Sequence, residues 1–374
     1  MKRKRNEYLE QGNGSRTFSQ GGIRKKRGAV TYILKMLGGI VVLAGVMSLG
    51  AALYVWVQEG KNDSVPAGSP AVEITYTQKE LDELLSEAGT QAGQAAAAAE
   101  AERILGGIEA GLAEGNTVVE TLRPFYPEDI VVVSGGKFHF IPIRDDLKKH
   151  SLLQENLSLL ENGEYQYLEN GLVMSHKGID VSYHQGDIDW TSVALTDVEY
   201  VFIRVGYRGY GSGKMVLDEQ FENNIQGAAE AGLKVGVYFF SQAVSEEEVL
   251  EEANFVLEQI APYQVDFPVV FDVEKVTDST ARMNRLTVEV RTSLAILFCE
   301  AVKEAGYTPM IYHNMEMGAL LLDLTRLEAY EKWFAYYGTD FYYPYAYQIW
   351  QYSEKGYIEG ISGEVDMNIS FKIW

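Results

Sequence analysis

From about residue 176 to residue 374 the sequence predicts an α/β fold closed into a barrel. Three observations carry that reading. Strand-like runs recur at Gly178–Ser182, Tyr200–Gly206, Val235–Phe240, Val269–Glu274, Pro309–His313, Trp333–Tyr337, Ala346–Tyr352 and Val365–Asn368. Helical runs separate the early ones: Asp218 to Ala231, Ser245 to Ile260 and Leu286 to Ala305. Alternation of this kind implies a parallel sheet with crossover helices, and eight strands are enough to close it. The third observation is Pro268-Val-Val-Phe-Asp-Val-Glu274. An apolar run without polar alternation is a strand covered on both faces, and here it ends in two acids.

Each predicted element has a local reason. Ser245 is suited to cap a helix whose first turn holds Glu246, Glu247 and Glu248, because acids stabilise the positive N-terminal end. The later strands are joined by short segments with little helix. Cys299, the single cysteine, falls in the apolar run Ser293 to Val302, which makes it a core residue and excludes an internal disulfide framework.

The region before the barrel is organised differently. Residues 1–35 hold ten Lys/Arg and two Glu, a net of +8; the remainder holds 22 and 51, a net of −29, and the two sum to −21. So acidic a body excludes nucleic acid as a partner, since phosphates need a basic surface. Met36 to Val57 is an uncharged stretch of 22 residues, long enough to cross a bilayer, with Tyr54 and Trp56 at its far end. The basic flank before it predicts a cytoplasmic N-terminus, a single-pass anchor in the cell membrane and an extracellular C-terminal domain. A cleaved signal peptide is the competing reading; its apolar core would be shorter, and no small-residue cleavage site is obvious after Trp56.

Residues 58–123 read as a linker followed by an Ala-rich helical stalk, with Leu81, Leu84, Leu85, Ala88, Ala92, Ala96 and Ala99 at helical spacing. The stalk is either a spacer or a surface that pairs with a second copy, making a homodimer, or with an envelope protein complex. Residues 124–175 read as a small β-containing module. Ser134-Gly-Gly-Lys137 and Glu169-Asn-Gly171 are hairpin turns, and Asp145 to Leu160 is predicted helical. This module shows no chemistry of its own.

The chemistry-bearing residues lie at strand ends of the barrel. Asp272 and Glu274 are two apart on a strand and therefore point to the same side. Two carboxylates on one face repel, so one holds its proton towards neutral pH, which is the equipment of a glycosidase; taken alone, the pair also reads as a strand end with two solvated acids. Asp180 ends the first strand and Asp366 lies in the last, so a closed barrel gathers four acids at one mouth. Tyr207, Tyr238, Tyr312, Trp333, Tyr337, Trp350 and Tyr352 also fall at strand ends and are candidates to stack on sugar rings, although several belong to an ordinary core. The five histidines are scattered and no H-E-x-x-H or C-x-x-C spacing occurs, so no metal or other cofactor is expected.

Gly178-Ile-Asp-Val-Ser-Tyr-His-Gln-Gly-Asp-Ile-Asp-Trp190 resembles the opening motif of the family 25 glycoside hydrolases, the N-acetylmuramidase type of lysozyme. Further motifs of that family follow in order. They are Arg204-Val-Gly206, Val235-Gly-Val-Tyr-Phe239, Phe271-Asp-Val-Glu274, Trp333-Phe-Ala-Tyr-Tyr337, Ile349-Trp-Gln-Tyr352 and Val365-Asp-Met-Asn368. The resemblance covers about residues 176–374. It implies a TIM-like (β/α)5(β)3 barrel and hydrolysis of the β-1,4 bond from N-acetylmuramic acid to N-acetylglucosamine in the glycan strands of peptidoglycan. By position it makes Glu274 the general acid. Asp272 becomes the nucleophile or the group that orients the substrate's acetamido group, and Asp180 and Asp366 shape the charge of the site. With the apolar span, the expectation is a tethered enzyme for local cell-wall remodelling. The rivals are a glycan-binding or scaffold protein of the envelope that has lost turnover, and a barrel hydrolase acting on chitin-like chains.

Overall fold

A computed structural model describes residues 77–374. The predicted membrane segment at residues 36–57 and the basic tail lie outside the described residues. Among those described, no helix is long and apolar enough to cross a membrane. The chain divides into two compact units, with the boundary in sequence between Glu114 and Gly115.

In the first unit, helix α1 runs Gln78–Ala113. It starts at a capping box, in which the Thr77 hydroxyl accepts from the Glu80 amide at 3.3 Å and the Glu80 carboxylate accepts from the Thr77 amide at 2.7 Å. The predicted stalk is thus a helix of 36 residues with none buried.

Gly115–Trp374 forms the second unit. It begins with the short helix α2 (Val118–Leu122) and the antiparallel hairpin β1 (Asp129–Ser134) and β2 (Lys137–Pro142). Gly135 and Gly136 turn it with φ of 56° and 71°, a backbone region that glycine enters without strain. A second small sheet joins β3 (Leu157–Leu159), β4 (Tyr165–Glu169) and β5 (Leu172–Val173). Its last turn uses Asn170 and Gly171, as the sequence predicts.

The helix expected over Asp145 to Leu160 is not formed. Tertiary pairing overrides its helical spacing. Lys149 bridges to Tyr345, the His150 amide donates to the Pro344 carbonyl at 3.2 Å, and Leu157 and Leu159 pair with Tyr167 and Tyr165.

The barrel strands are β6 (His176–Val181), β7 (Tyr200–Arg208), β9 (Lys234–Ser241), β10 (Val269–Val273), β11 (Pro309–Asn314), β12 (Glu331–Ala335), β13 (Ile349–Gly356) and β14 (Val365–Ser370). A short β8 (Met215–Leu217) hairpins onto β7 at the rim. The eight strands pair in that order, and β6 closes the ring by pairing with both β7 and β14. Helices α3 (Trp190–Val193), α4 (Phe221–Glu230), α5 (Glu246–Ile260) and α6 (Val288–Glu304) cover the early strands. Ser245 caps α5, accepting from the Glu248 amide at 3.3 Å. Cys299 is fully buried on the inner face of α6, where burial pushes its thiol pKa up, so it is core.

Seven strands run parallel, but β14 is antiparallel to both neighbours. Only residues 357–364 connect it to β13, too few for a crossover helix, so the chain must double back. A TIM-like description therefore fits loosely. Asp366 lies near the start of its strand, and it is that start which reaches the mouth.

The lumen is filled by rings. Phe202 stacks on Trp333 at 4.6 Å and Tyr200 on Phe267 at 4.7 Å. Gly178 and Gly236 make this possible: a Cβ at either would lie 2.1 Å or 2.3 Å from the ring of Tyr200 or Phe202.

Candidate active site

The upper end of the lumen opens into a cavity of about 330 Å³. Asp180, Asp272, Glu274, Asp366 and Glu354 line it, with Arg204 as a cation and Tyr238, Tyr312, Trp333 and Tyr337 among its walls. All four acids singled out in the sequence therefore converge. Asp272 is buried within β10, and Glu274, just beyond the strand, is less enclosed. That order follows from the apolar run that sinks β10 into the barrel and releases the chain at its end.

Asp180 is held by two side-chain amides. Gln351 Nε2 and Asn368 Nδ2 each donate to its Oδ2 at 2.8 Å. Tyr312 and Tyr337 hydroxyls fix the Gln351 amide by donating to its Oε1 at 2.8 Å and 2.9 Å. Trp333 Nε1 fixes Asn368 by donating to its Oδ1 at 2.7 Å. The wall rings are thus hydrogen-bonded into the acid cluster as well as stacked. Arg204 is tied to Asp218, whose Oδ2 accepts from its Nε at 2.8 Å.

So many carboxyls in a low-dielectric pocket cannot all ionise. Burial pushes Glu274 up to about 7, against a hydrogen bond from Asp272 that lowers it. Burial and then the Glu274 charge raise Asp272 well above the ordinary carboxyl value. Asp180 is raised by burial to about 6, held down in part by Asn368 and Gln351. Asp366 is raised to about 9 by burial, then by the charges of Asp180, Glu354 and Glu274. Near neutral pH the cluster holds protons that can be given away, next to carboxylates that can stabilise positive charge.

The predicted sugar-stacking residues divide. Tyr238, Tyr312, Trp333 and Tyr337 line the cavity, and Tyr337 stands at its rim, 53% exposed. Tyr207 does not line it; it lies at the end of β7, half-buried, with the Arg204 guanidinium 5.4 Å from its ring centre. Trp350 and Tyr352 are corrections. Gln351 faces the lumen, so its two neighbours on the strand must face outward. There Tyr165 packs on both, at 5.3 Å and 5.2 Å between ring centres.

Sequence reasoning missed Gln351, Asn368 and Arg204 as members of the site. A signal for Asn368 exists in its motif: it is two residues from Asp366 and shares its face.

Residues 179–361 match the family described as Glycosyl hydrolases family 25. An Escherichia coli (strain K12) protein described as "Uncharacterized protein YegX" is 30% identical over 199 residues, covering 51% of this chain and 68% of the relative. The "Autolytic lysozyme" of Clostridium acetobutylicum is 26% identical over 193 residues, and the chain spans 55% of that protein's length. Among solved structures, the CTP1L endolysin aligns over 53% of this chain and 66% of its own, at 25% identity and a TM-score of 0.43. The chain belongs to family 25 of the glycosyl hydrolases, and it is a glycoside hydrolase.

Proposed function

We propose that the protein is a peptidoglycan muramidase, cleaving the β-1,4 bond between N-acetylmuramic acid and N-acetylglucosamine. The single observation that carries this reading is the pair Asp272 and Glu274. One carboxyl is deep, the other lies nearer the opening, and both are held towards protonation in a cavity walled by rings. The names of the relatives, a lysozyme and an endolysin, support the same substrate.

Glu274 protonates the glycosidic oxygen, so that the leaving sugar departs as an alcohol. Asp272 orients the acetamido group of the muramic acid, whose oxygen closes on the anomeric carbon as the bond breaks. Two features favour this role over that of nucleophile. A nucleophile must be ionised, and burial opposes ionisation of Asp272. Its Oδ1 is also buried without a hydrogen-bond partner, free to engage an amide. Water then opens the ring, with Glu274 taking its proton. Asp180, the more acidic of the facing pair, supplies negative charge that stabilises the cationic transition state, and the protonated Asp366 holds it by a hydrogen bond.

The proposal extends to placement. Residues 36–57 anchor the chain in the cell membrane, with the barrel on the outer side, so cleavage is confined to the nearby wall. The exposed Leu81, Leu84, Leu85, Leu105 and Leu112 of α1 support an envelope complex or a second copy packed along that helix.

The test of the substrate is direct. Full-length protein is incubated with purified peptidoglycan, the new reducing ends are reduced with borohydride, and the products are identified by mass spectrometry. Muramitol ends are expected. Glucosaminitol ends would contradict the bond assignment, and binding without new ends would favour the silent glycan-binding alternative.

A further inference from the structure

The chain leaving β10 carries Glu274 and then Lys275. Neighbouring residues of an extended chain point to opposite sides. Glu274 lines the cavity, and Lys275 turns outward to a cluster of its own. Its Nζ donates to Glu316 Oε1 at 2.5 Å and to Ser134 Oγ at 3.1 Å. The Ser134 hydroxyl in turn donates to Glu316.

Glu316 follows β11 in the barrel. Ser134 does not belong to the barrel: it ends β1, and it lies before the residues that match the family. The Gly135–Gly136 turn sets its position at the hairpin tip. The base of the hairpin is fixed too, since the Val131 amide donates to the Tyr342 hydroxyl at 2.6 Å and Ile130 and Val131 are buried. A rigid hairpin thus reaches the segment that presents the acid.

The cluster is poorly explained as a source of stability. Lys275 and Glu316 side chains are 30% and 22% exposed, and ion pairs this close to water contribute little. Their geometry does matter, because an acid displaced by about 1 Å can lose on the order of 10² in rate.

We propose that Ser134 is a positioning residue for the glycosidase reaction: through Lys275 and Glu316, the hairpin outside the barrel holds Glu274 at its working place. The inference rests on the reading of Glu274 as the acid. It assigns a catalytic duty to a module that carries no reacting group.

The experiment measures kcat, KM and the pH profile of kcat on solubilised peptidoglycan with the full-length protein. Ser134→Ala, Glu316→Gln and Ser134→Thr are compared with the parent, and Glu274→Gln serves as control. Near-UV circular dichroism sets the folded concentration for each. The charged groups around Glu274, namely Asp272, Asp180, Asp366, Glu354, Arg204 and Lys275, are the same in the Ser134 variants, whereas Glu316→Gln also removes the carboxylate paired with Lys275, so the pH limb is judged on Ser134→Ala. We expect Ser134→Ala and Glu316→Gln to lower kcat by roughly 10-fold with KM changed less than about 2-fold. The alkaline limb of the profile should move, and Ser134→Thr, which keeps the hydroxyl, should recover most of the rate. An unmoved limb with kcat within about 2-fold of the parent, while Glu274→Gln is inactive, overturns the positioning role alone. An active Glu274→Gln overturns the acid assignment and this inference with it.

Discussion

Asp180 on β6 and Asp366 on β14 are register partners across an antiparallel pairing, so two carboxyls face each other where the first and last strands close the barrel. Like charges directly opposite on a sheet repel. The structure resolves the conflict by keeping a proton on Asp366, which donates a hydrogen bond to Asp180.

This arrangement predicts a stability signature. The native pKa of Asp366, about 9, lies above the ordinary value of 3.8 that holds when unfolded. The native state therefore binds a proton that the unfolded chain releases, and its stability falls as pH rises from about 4 towards 9. Asp366→Asn removes that loss. Its melting temperature should exceed the parent's by more at pH 8 than at pH 5, by about 2–4 °C for each ~1 kcal/mol regained. An equal difference at both pH values would show that Asp366 is not held protonated.

A second prediction concerns the limits of the folding unit. Trp350 and Tyr352 turn outward onto Tyr165, and Tyr167 packs against Phe341 and Phe371. Truncating a buried aromatic costs about 3–5 kcal/mol, and a fragment of residues 172–374 loses both tyrosines at once. It should aggregate, whereas residues 115–374 should be monomeric by size-exclusion chromatography. A monomeric 172–374 fragment with full activity would show that the small sheets are dispensable.

These contacts also mark how far the sequence was legible. The eight strands, their order of acids and the two glycine turns depend on local spacing, and each is visible in the residues themselves. The inward and outward faces of β13 are not. Both sides of that strand are buried, so polarity does not alternate strongly, and aromatic residues at its end look alike from either side. Gln351 gives the parity only once its partner Asp180 is known. The direction of β14 was hidden for a related reason, since it depends on the short connection at residues 357–364 and not on the strand. Asp145 to Leu160 reads as a helix because its leucines are well spaced, and the pairings that pull it straight, with Pro344–Ala346 and with Tyr165 and Tyr167, are tertiary.

The proposed membrane placement predicts protease sensitivity. The +8 charge before the apolar span favours a cytoplasmic N-terminus. Protease added to intact, wall-stripped cells should degrade everything after about residue 60 and spare an N-terminal tag. Survival of the barrel until lysis would reverse the orientation.

The central claim is that Glu274 is the proton donor, and Glu274→Gln tests it most directly, because the change keeps shape and removes the proton. The measurement is the rate of peptidoglycan cleavage by the folded variant, with wall binding followed in parallel. A general acid contributes about 10²–10⁴-fold, so cleavage should fall by at least ~10²-fold while binding persists. An activated aryl glycoside, if accepted, should lose far less in its glycosylation step, since its leaving group needs little protonation. In the parent, activity should decline as pH rises through about 7, where Glu274 gives up its proton. Near-parental wall cleavage by Glu274→Gln, with the fold intact, would contradict the account and move the acid role to another carboxyl of the cluster.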